Sequence, residues 1–156
     1  MAIHKLREFL DAEGIKYTTL THSPAYTAQE VAASAHVPGR ELAKTVMVKV
    51  DGQMAMAVLP ASYKVDFEIL KQVTGANRVE LATEEEFRGM FPDCEVGAMS
   101  PFGNLYGLPV YAARSLADDS MIAFNAGSHT ELIQMAYEDF ERLVEPRVVS
   151  FSARPR

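Results

Sequence analysis

The sequence predicts a mixed α/β fold, and three observations support this prediction. Segments with helical spacing of apolar residues alternate along the chain with short β-branched segments. A two-residue Asp51-Gly52 turn joins two of these strands and predicts an antiparallel hairpin. The chain has 156 residues, 48% hydrophobic and 23% charged, which is enough for one domain with one core. We therefore expect a partly antiparallel sheet with helices rather than a doubly wound nucleotide-binding fold.

The first predicted elements are a helix, a strand and a second, short helix. The apolar residues of the first helix recur at helical spacing: Ile3, Leu6 and Leu10. Gly14 is a stop signal for this helix, and residues 15–20 have the composition of a strand. Thr27 and Glu30 form a capping-box pattern, which predicts the start of the second helix.

The hairpin gives the clearest strand signal in the chain. Residues 45–50 are rich in β-branched side chains, and residues 53–59 return after the turn. Both arms are mostly apolar, as is typical of strands that are covered on both faces. We therefore expect this hairpin to lie centrally in the sheet.

The second half of the chain continues the alternation. Apolar spacing predicts a helix that starts near Val65 and ends at Gly75, and a capping box at Thr83 predicts another that ends before Pro92. The other predicted segments are strands at 78–81, 109–113, 121–125 and 131–136, a structured loop at 93–108 and a helix at 137–144. We predict a single domain over residues 1–149 and a loosely held tail over residues 150–156.

Composition limits the possible functions. The formal net charge of −6 argues against a protein that coats nucleic acid, but it permits one that grips only an RNA end through a few local cations. The sequence contains no apolar run near the ~20 residues of a membrane span, so we expect no membrane partner. Cys94 is the only cysteine, which excludes an intrachain disulfide and suits a cytoplasmic location.

Lys44 is the first candidate for chemistry. It directly precedes the apolar arm at 45–50, so a rigid strand could direct its ammonium towards a phosphate or an ester oxygen. The competing interpretation is a lysine at a strand end that extends its charge into water. The residue pattern alone favours this second interpretation.

A glycine-containing loop at 97–103 is the second candidate. Small residues let the backbone approach a ligand closely, and successive amides can stabilise charge on a carbonyl oxygen. Pro101 would stiffen this loop. A plain turn between a helix and a strand is the alternative, because the loop matches neither a Walker motif nor a dinucleotide fingerprint.

The third candidate is the segment 125–129, which follows a predicted strand. Its His129 could orient a substrate or transfer a proton near neutral pH. A surface or capping histidine is the alternative. The sequence contains no cysteine cluster and no paired-histidine helix, so we expect no metal and no cofactor.

The order of these motifs resembles the YbaK family, also called the prolyl-tRNA synthetase-associated editing domain. The motifs are His22-Ser23-Pro24-Ala25-Tyr26-Thr27, Leu42-Ala43-Lys44-Thr45, the loop Gly97 to Gly103, and Ala126-Gly127-Ser128-His129. The resemblance extends from the first helix to about Leu143. It implies a curved, mostly antiparallel sheet flanked by helices, and hydrolysis of the ester that joins a wrong amino acid to transfer RNA.

The resemblance also implies a site. The family's lysine matches Lys44, and catalysis is assigned to Lys44, Gly97 and Ser100. The expected substrate-binding residues are Tyr26, Thr45, Pro101, Gly103, Gly127, Ser128 and His129. Family members typically use water as the nucleophile and bind no metal. Lys44 is then expected to hold the terminal phosphate or the ester region while backbone amides near residues 97–100 face the carbonyl oxygen.

The expected substrate is the acceptor end of a mischarged transfer RNA, with a prolyl-tRNA synthetase as a further partner. The Gly127-Ser128-His129 segment is more similar to the alanine-removing branch of the family than to the cysteine-removing branch. A cysteine-removing enzyme and a non-catalytic module that binds transfer RNA or a synthetase are the alternatives. An unrelated small-molecule hydrolase or regulatory domain is disfavoured, because no other site is recognisable.

Overall fold

The computed structural model describes residues 2–21, 41–91, 94, 98–128 and 130–153. Its helices are α1 (Ala2–Ala12), α2 (Phe67–Thr74), α3 (Glu84–Phe87), α4 (Arg114–Ala117) and α5 (Tyr137–Val144), with 3-10 turns at Arg88–Met90 and Gly103–Tyr106. Its strands are β1 (Tyr17–Thr21), β2 (Leu42–Val50), β3 (Gln53–Pro60), β4 (Lys64–Val65), β5 (Val79–Leu81), β6 (Val110–Ala113), β7 (Met121–Asn125), β8 (Glu131–Ala136), β9 (Arg147–Val149) and β10 (Ser152–Ala153).

The strands confirm the mixed α/β fold. Eight of the described strands form one sheet in the order β1-β8-β7-β2-β3-β6-β9, and β5 pairs with β2 outside this path. Antiparallel pairs join β1 to β8, β7 to β8, β2 to β3 and β2 to β5, whereas β2–β7, β3–β6 and β6–β9 are parallel. The sheet is therefore mostly antiparallel, with parallel pairs on both sides of the central hairpin.

The predicted hairpin lies at the centre of the sheet. Its turn places Asp51 at φ 50° and Gly52 at φ 83°, and positive φ at both residues matches the right-handed twist of the two strands. The Asp51 carboxylate also accepts hydrogen bonds of 2.9 Å from the backbone amides of Asn77 and Arg78. The turn is thereby attached to the segment that leads into β5.

Both faces of the hairpin are covered, as its apolar arms predict. One core cluster contains Met47 and Met56 on one face, together with α1, α5 and the ring of Phe102. The second cluster contains Val48 and Leu59 on the opposite face, together with Leu70 of α2 and Phe151. This alternation places successive residues of β2 on opposite faces of the sheet.

The helix caps are formed by the side chains that the sequence indicates. Thr83 and Glu86 form a reciprocal capping box at the start of α3. The helix predicted from Val65 starts instead at Phe67, because the Asp66 carboxylate accepts a hydrogen bond from the Ile69 amide and caps it. The capping box predicted at Thr27 and Glu30 lies outside the described residues.

The segment after residue 149 differs from the loosely held tail that the sequence predicts. Phe151 is fully buried, and β10 pairs with β4 through Ser152 and Val65. The Phe151 carbonyl also accepts a hydrogen bond of 2.7 Å from the Asp66 amide. A single aromatic residue in a basic, proline-containing segment gives no periodic signal, so only the fold reveals its burial. Residues 154–156 lie outside the described part of the chain.

Candidate functional site

The candidate site lies where the strand that pairs with one edge of β2 changes from β7 to β5. Along one edge, β2 pairs with β7 at Leu42 and Ala43, and with β5 from Val48 to Val50. Along its other edge it pairs with β3 from Ala43 to Val50. Among the described residues, these registers leave a gap in strand pairing along one edge of β2, between Ala43 and Val48, and Lys44 lies at the start of that gap.

Lys44 is half-buried at this position and lies opposite Leu59 of β3. Burial lowers the pKa of its ammonium, and the positive charge of nearby Lys64 lowers the pKa further. Within the described ranges, none of the ion pairs includes Lys44. A partly desolvated cation without a carboxylate partner attracts an anion more strongly than a fully hydrated one does.

The end of β7 lies beside Lys44. Ala43 pairs with Phe124, so Lys44 and Asn125 are the next residues along the two parallel strands. Both side chains follow the alternation to the face opposite Phe124, which packs in the first core cluster. After Asn125 the chain turns through Gly127, whose φ of 99° favours glycine.

The glycine loop joins this strand end through the backbone. The Gly127 amide donates a hydrogen bond of 2.9 Å to the carbonyl oxygen of Ala98. Residues 98–103 are all buried, and the Ser100 hydroxyl accepts a hydrogen bond of 3.4 Å from the Phe102 amide. The fold therefore brings together three segments that are far apart in sequence, those around Lys44, Ser100 and Gly127.

The aromatic ring of Phe102 anchors the loop in the core. Its centroid lies 5.7 Å from those of Phe124 and Phe140 and 6.0 Å from that of Phe9. The next residue, Gly103, lies so close to β6 that an added Cβ would be 2.6 Å from Val110 Cγ2. The contacts of Gly103 are thus with the core, and they give a packing reason for glycine at this position.

The remaining predicted residues differ in placement. Pro101 is buried within the loop, and Thr45 is half-buried on the face opposite Lys44. The Ser128 hydroxyl lies 3.2 Å from that of Thr130 and also accepts a hydrogen bond from the Thr130 amide. Three predicted site residues lie outside the described part of the chain: Tyr26, Gly97 and His129.

Two neighbours of Lys44 had no assigned role in the site predicted from sequence, although Asn125 belongs to the candidate segment 125–129. Lys64 lies in the two-residue strand β4, whose position depends on pairing with β10. Asn125 has a buried side-chain oxygen, and nothing in its local sequence indicates that it adjoins Lys44. The proximity of Asn125 to Lys44 depends on the parallel β2–β7 register, which pairs residues about 80 positions apart. Local sequence therefore does not indicate it.

No group of three histidine, cysteine, aspartate or glutamate side chains among the described residues could hold a metal ion. None of the described helices has the length and apolar character needed to cross a membrane. What the site offers is a half-buried cation, a buried amide oxygen and a buried loop, a combination suited to an anionic ligand with further polar groups.

A comparison with protein-family models matches residues 22–143 to the aminoacyl-tRNA editing domain. The chain belongs to this family. The matched segment includes Lys44, the glycine loop and the end of β7, so the family match covers the whole of the site described above. The family expected from the sequence motifs is thereby confirmed.

Curated relatives of this editing domain are of two kinds. The prolyl-tRNA editing protein ProX of Acetoanaerobium sticklandii is 25% identical over 150 residues, covering 92% of this chain and 91% of that protein. The proline–tRNA ligase of Bacillus cytotoxicus is 33% identical over 89 residues, covering 57% of this chain but only 16% of the ligase. The chain thus matches one relative of similar length and a small part of a much longer one.

Solved structures share the fold. The hypothetical protein APE2540 superimposes with a TM-score of 0.85 at 22% identity, covering 96% of this chain and 99% of that chain. A structure assigned as a trans-editing enzyme for prolyl-tRNA synthetase superimposes with a TM-score of 0.82 at 18% identity, covering 97% of both chains. These likenesses cover nearly the whole chain and confirm the mixed α/β fold.

Proposed function

We propose that this editing domain acts in trans as a deacylase that hydrolyses the ester of mischarged proline-accepting transfer RNA, with alanine as the amino acid removed. The main observation behind this proposal is the position of Lys44. Its side chain is half-buried and has no carboxylate partner in the described ranges. It lies beside the end of β7, which the glycine loop contacts. ProX and the proline–tRNA ligases among its relatives support the choice of transfer RNA.

Lys44 holds the terminal phosphate or the ester region in this mechanism. Its ammonium is a compact point charge on a strand that is paired on both sides near its start. Fixing the RNA end here orients the ester relative to the loop, and orientation of this kind removes part of the entropic barrier to the reaction. A prolyl-tRNA synthetase would supply affinity that an acidic chain of net charge −6 lacks.

Water is the nucleophile, and backbone amides near residues 97–100 stabilise the charge that develops on the carbonyl oxygen. The Ser100 hydroxyl already accepts a hydrogen bond from the Phe102 amide, which holds that part of the loop in one conformation. Phe102 anchors the same segment among aromatic rings. Such a preformed loop needs little reorganisation when the transition state forms.

The selection of alanine depends on size. One methylene in an apolar pocket changes binding by only ~1–3 kcal/mol, so rejection of the larger proline requires steric exclusion. Tyr26 and His129 are proposed to line the pocket that measures the amino-acid side chain. In this proposal, Gly127 and Ser128 line the same pocket.

The test offers the purified protein proline-accepting transfer RNA charged with alanine, cysteine, serine or proline, and follows loss of the ester. We expect the fastest hydrolysis for alanine and the slowest for proline. Faster loss of cysteine would identify a cysteine-removing enzyme of the same fold. No loss of any ester above the uncatalysed rate, with or without prolyl-tRNA synthetase, would overturn the enzymatic proposal in favour of a binding module.

Lys44 is tested by substitution. We expect Lys44→Ala to lower kcat/KM by about 100-fold or more, because the ester would no longer be positioned relative to the loop. Lys16→Ala is the matched control, because Lys16 is exposed and precedes β1, away from the β2–β7 junction. Equal activity of the two variants would remove Lys44 from the proposed mechanism.

A further inference from the structure

Asn125 carries a polar atom that the fold leaves unsatisfied. Its side-chain oxygen Oδ1 is buried and has no hydrogen-bond partner within the part of the chain that the structure describes. Buried polar atoms in native proteins nearly always have a partner, because burial without one costs the free energy of lost hydration. An orphaned acceptor at the edge of a site therefore points to a group that arrives with the ligand.

The position of Asn125 ties this acceptor to Lys44. The two residues directly follow the pair Ala43–Phe124 on parallel neighbouring strands, which lie about 4.8 Å apart in a sheet. Strand alternation directs both side chains to the same face. One face of the β2–β7 junction thus presents a cationic donor next to a neutral acceptor.

The charges near Asn125 indicate which kind of ligand group could donate a hydrogen bond to its Oδ1. An amide oxygen only accepts hydrogen bonds, so the ligand must supply a donor. Lys44 is positively charged, and Lys64 adds a second positive charge near it. Two adjacent cations disfavour an ammonium as that donor and leave a neutral hydroxyl as the suitable group.

We propose that Asn125 Oδ1 accepts a hydrogen bond from a hydroxyl of the terminal ribose of the transfer RNA while Lys44 holds a phosphate of the same RNA end. This inference rests on the proposed function and deepens it, because it assigns a binding role to Asn125, which has no assigned role in the site predicted from sequence. A nucleotide presents an anionic phosphate and neutral ribose hydroxyls only a few bonds apart. The donor and acceptor on β2 and β7 complement these two groups.

The free ribose hydroxyl is also the group that distinguishes RNA from DNA. The experiment uses an RNA microhelix whose last nucleotide carries alanine through a stable amide at the 3′ position, with either a hydroxyl or a hydrogen at the 2′ position. Its affinity for the full chain is measured by fluorescence anisotropy. We expect the wild-type protein to bind the hydroxyl form more tightly, on the order of tenfold, as for loss of one hydrogen bond.

Asn125→Leu removes the acceptor with little change in volume. We expect this variant to bind the hydroxyl form as weakly as wild type binds the 2′-hydrogen form, and to bind both forms equally. Asn77→Ala is the matched control, because Asn77 is exposed between α2 and β5, and this variant should keep the preference of wild type. Thermal unfolding of each variant shows whether it is folded at the assay temperature.

The wild-type comparison needs no variant, so it can overturn the proposal even if Asn125→Leu does not fold. Equal binding of the two microhelices by wild type, or a preference that survives in a folded Asn125→Leu variant, would overturn the assignment. Hydrolysis of alanyl esters together with equal binding would reject this inference alone. A preserved hydroxyl preference without hydrolysis of any ester would instead reject the deacylase proposal alone.

Discussion

The backbone amide of Gly127 donates a hydrogen bond to the carbonyl oxygen of Ala98, and the two atoms lie 2.9 Å apart. This bond connects the turn after β7 to the start of the described glycine loop. The loop is thereby fixed to the strand end that adjoins Lys44. Because Gly127 has a φ of 99°, the bond depends on a backbone conformation that other residues adopt only with strain.

Gly127→Ala is expected to lower both stability and activity. Strain at this φ should lower the free energy of unfolding by about 1–3 kcal/mol and displace the loop, so that kcat/KM for mischarged transfer RNA also falls. Gly75→Ala is the control, since Gly75 has a φ of 71° at the end of α2 and also becomes strained. Loss of deacylation in both variants to the same degree would contradict a specific role for the bond.

Gly103→Ala is expected to destabilise the protein by overpacking. Its new Cβ would lie 2.6 Å from Val110 Cγ2 and 2.9 Å from the carbonyl oxygen of Leu108, so the backbone must shift. A cost of about 1–3 kcal/mol in urea unfolding is expected. Gly89→Ala should change stability far less, because no atom lies within 4 Å of the corresponding Cβ. Similar midpoints for the two variants would show that the space at Gly103 is larger than the structure indicates.

Phe151→Ala tests whether the segment after residue 149 belongs to the folded domain. Phe151 is fully buried in the second core cluster, so its truncation should cost about 3–5 kcal/mol in thermal or urea unfolding. Leu81→Ala is the comparison, because Leu81 is 60% exposed and its loss should matter little. A change at Phe151 no larger than the change at Leu81 would support a loosely held tail instead.

The lowered pKa of Lys44 predicts a pH dependence of RNA binding. Phosphate binding requires the protonated ammonium, so affinity should fall as pH rises through the pKa of Lys44, and the fall should begin at a lower pH than for an ordinary lysine of pKa 10.5. Lys64→Met removes the neighbouring positive charge and should move the midpoint to higher pH. Fluorescence anisotropy of the amide-linked microhelix measures both profiles.

Lys44→Arg serves as the control for this pH profile, because a guanidinium stays charged throughout the accessible range. Its binding should show no decline at the pH where the affinity of wild type falls. An identical decline in Lys44→Arg would assign the titration to another group and would contradict the proposed phosphate contact.

Local patterns predicted the longer elements. The strands β3, β7 and β8 and the helix α5 match the expected segments closely, whereas β2 begins at Leu42, three residues before the predicted arm. The strands are largely apolar runs of five residues or more, and the apolar residues of α5 recur at helical spacing. The short elements β4, β9, β10 and α4 were not predicted. Two to four residues carry no periodic signal, and these elements exist through tertiary contacts such as the pairing of β10 with β4.

The site was predictable in part. The motifs around Lys44, the glycine loop and Gly127 could be named from sequence, because together they follow the motif order of the editing-domain family. Their convergence could not be derived, because it depends on the parallel pairing of β2 with β7 and on the bond between Gly127 and Ala98. Asn125 belongs to the candidate segment 125–129, but local sequence indicates neither for Asn125 nor for Lys64 that it lies beside Lys44.

The Asp51-Gly52 turn has a consequence for the lysine at the other end of the strand. Side chains on a strand alternate between faces, so a slip of one residue in the pairing of β2 with β3 would move Lys44 to the opposite side of the sheet. The turn conformation determines that register, and the Asp51 carboxylate fixes the turn to the amides of Asn77 and Arg78. The geometry of a distant surface turn therefore decides on which side of the sheet the Lys44 ammonium lies.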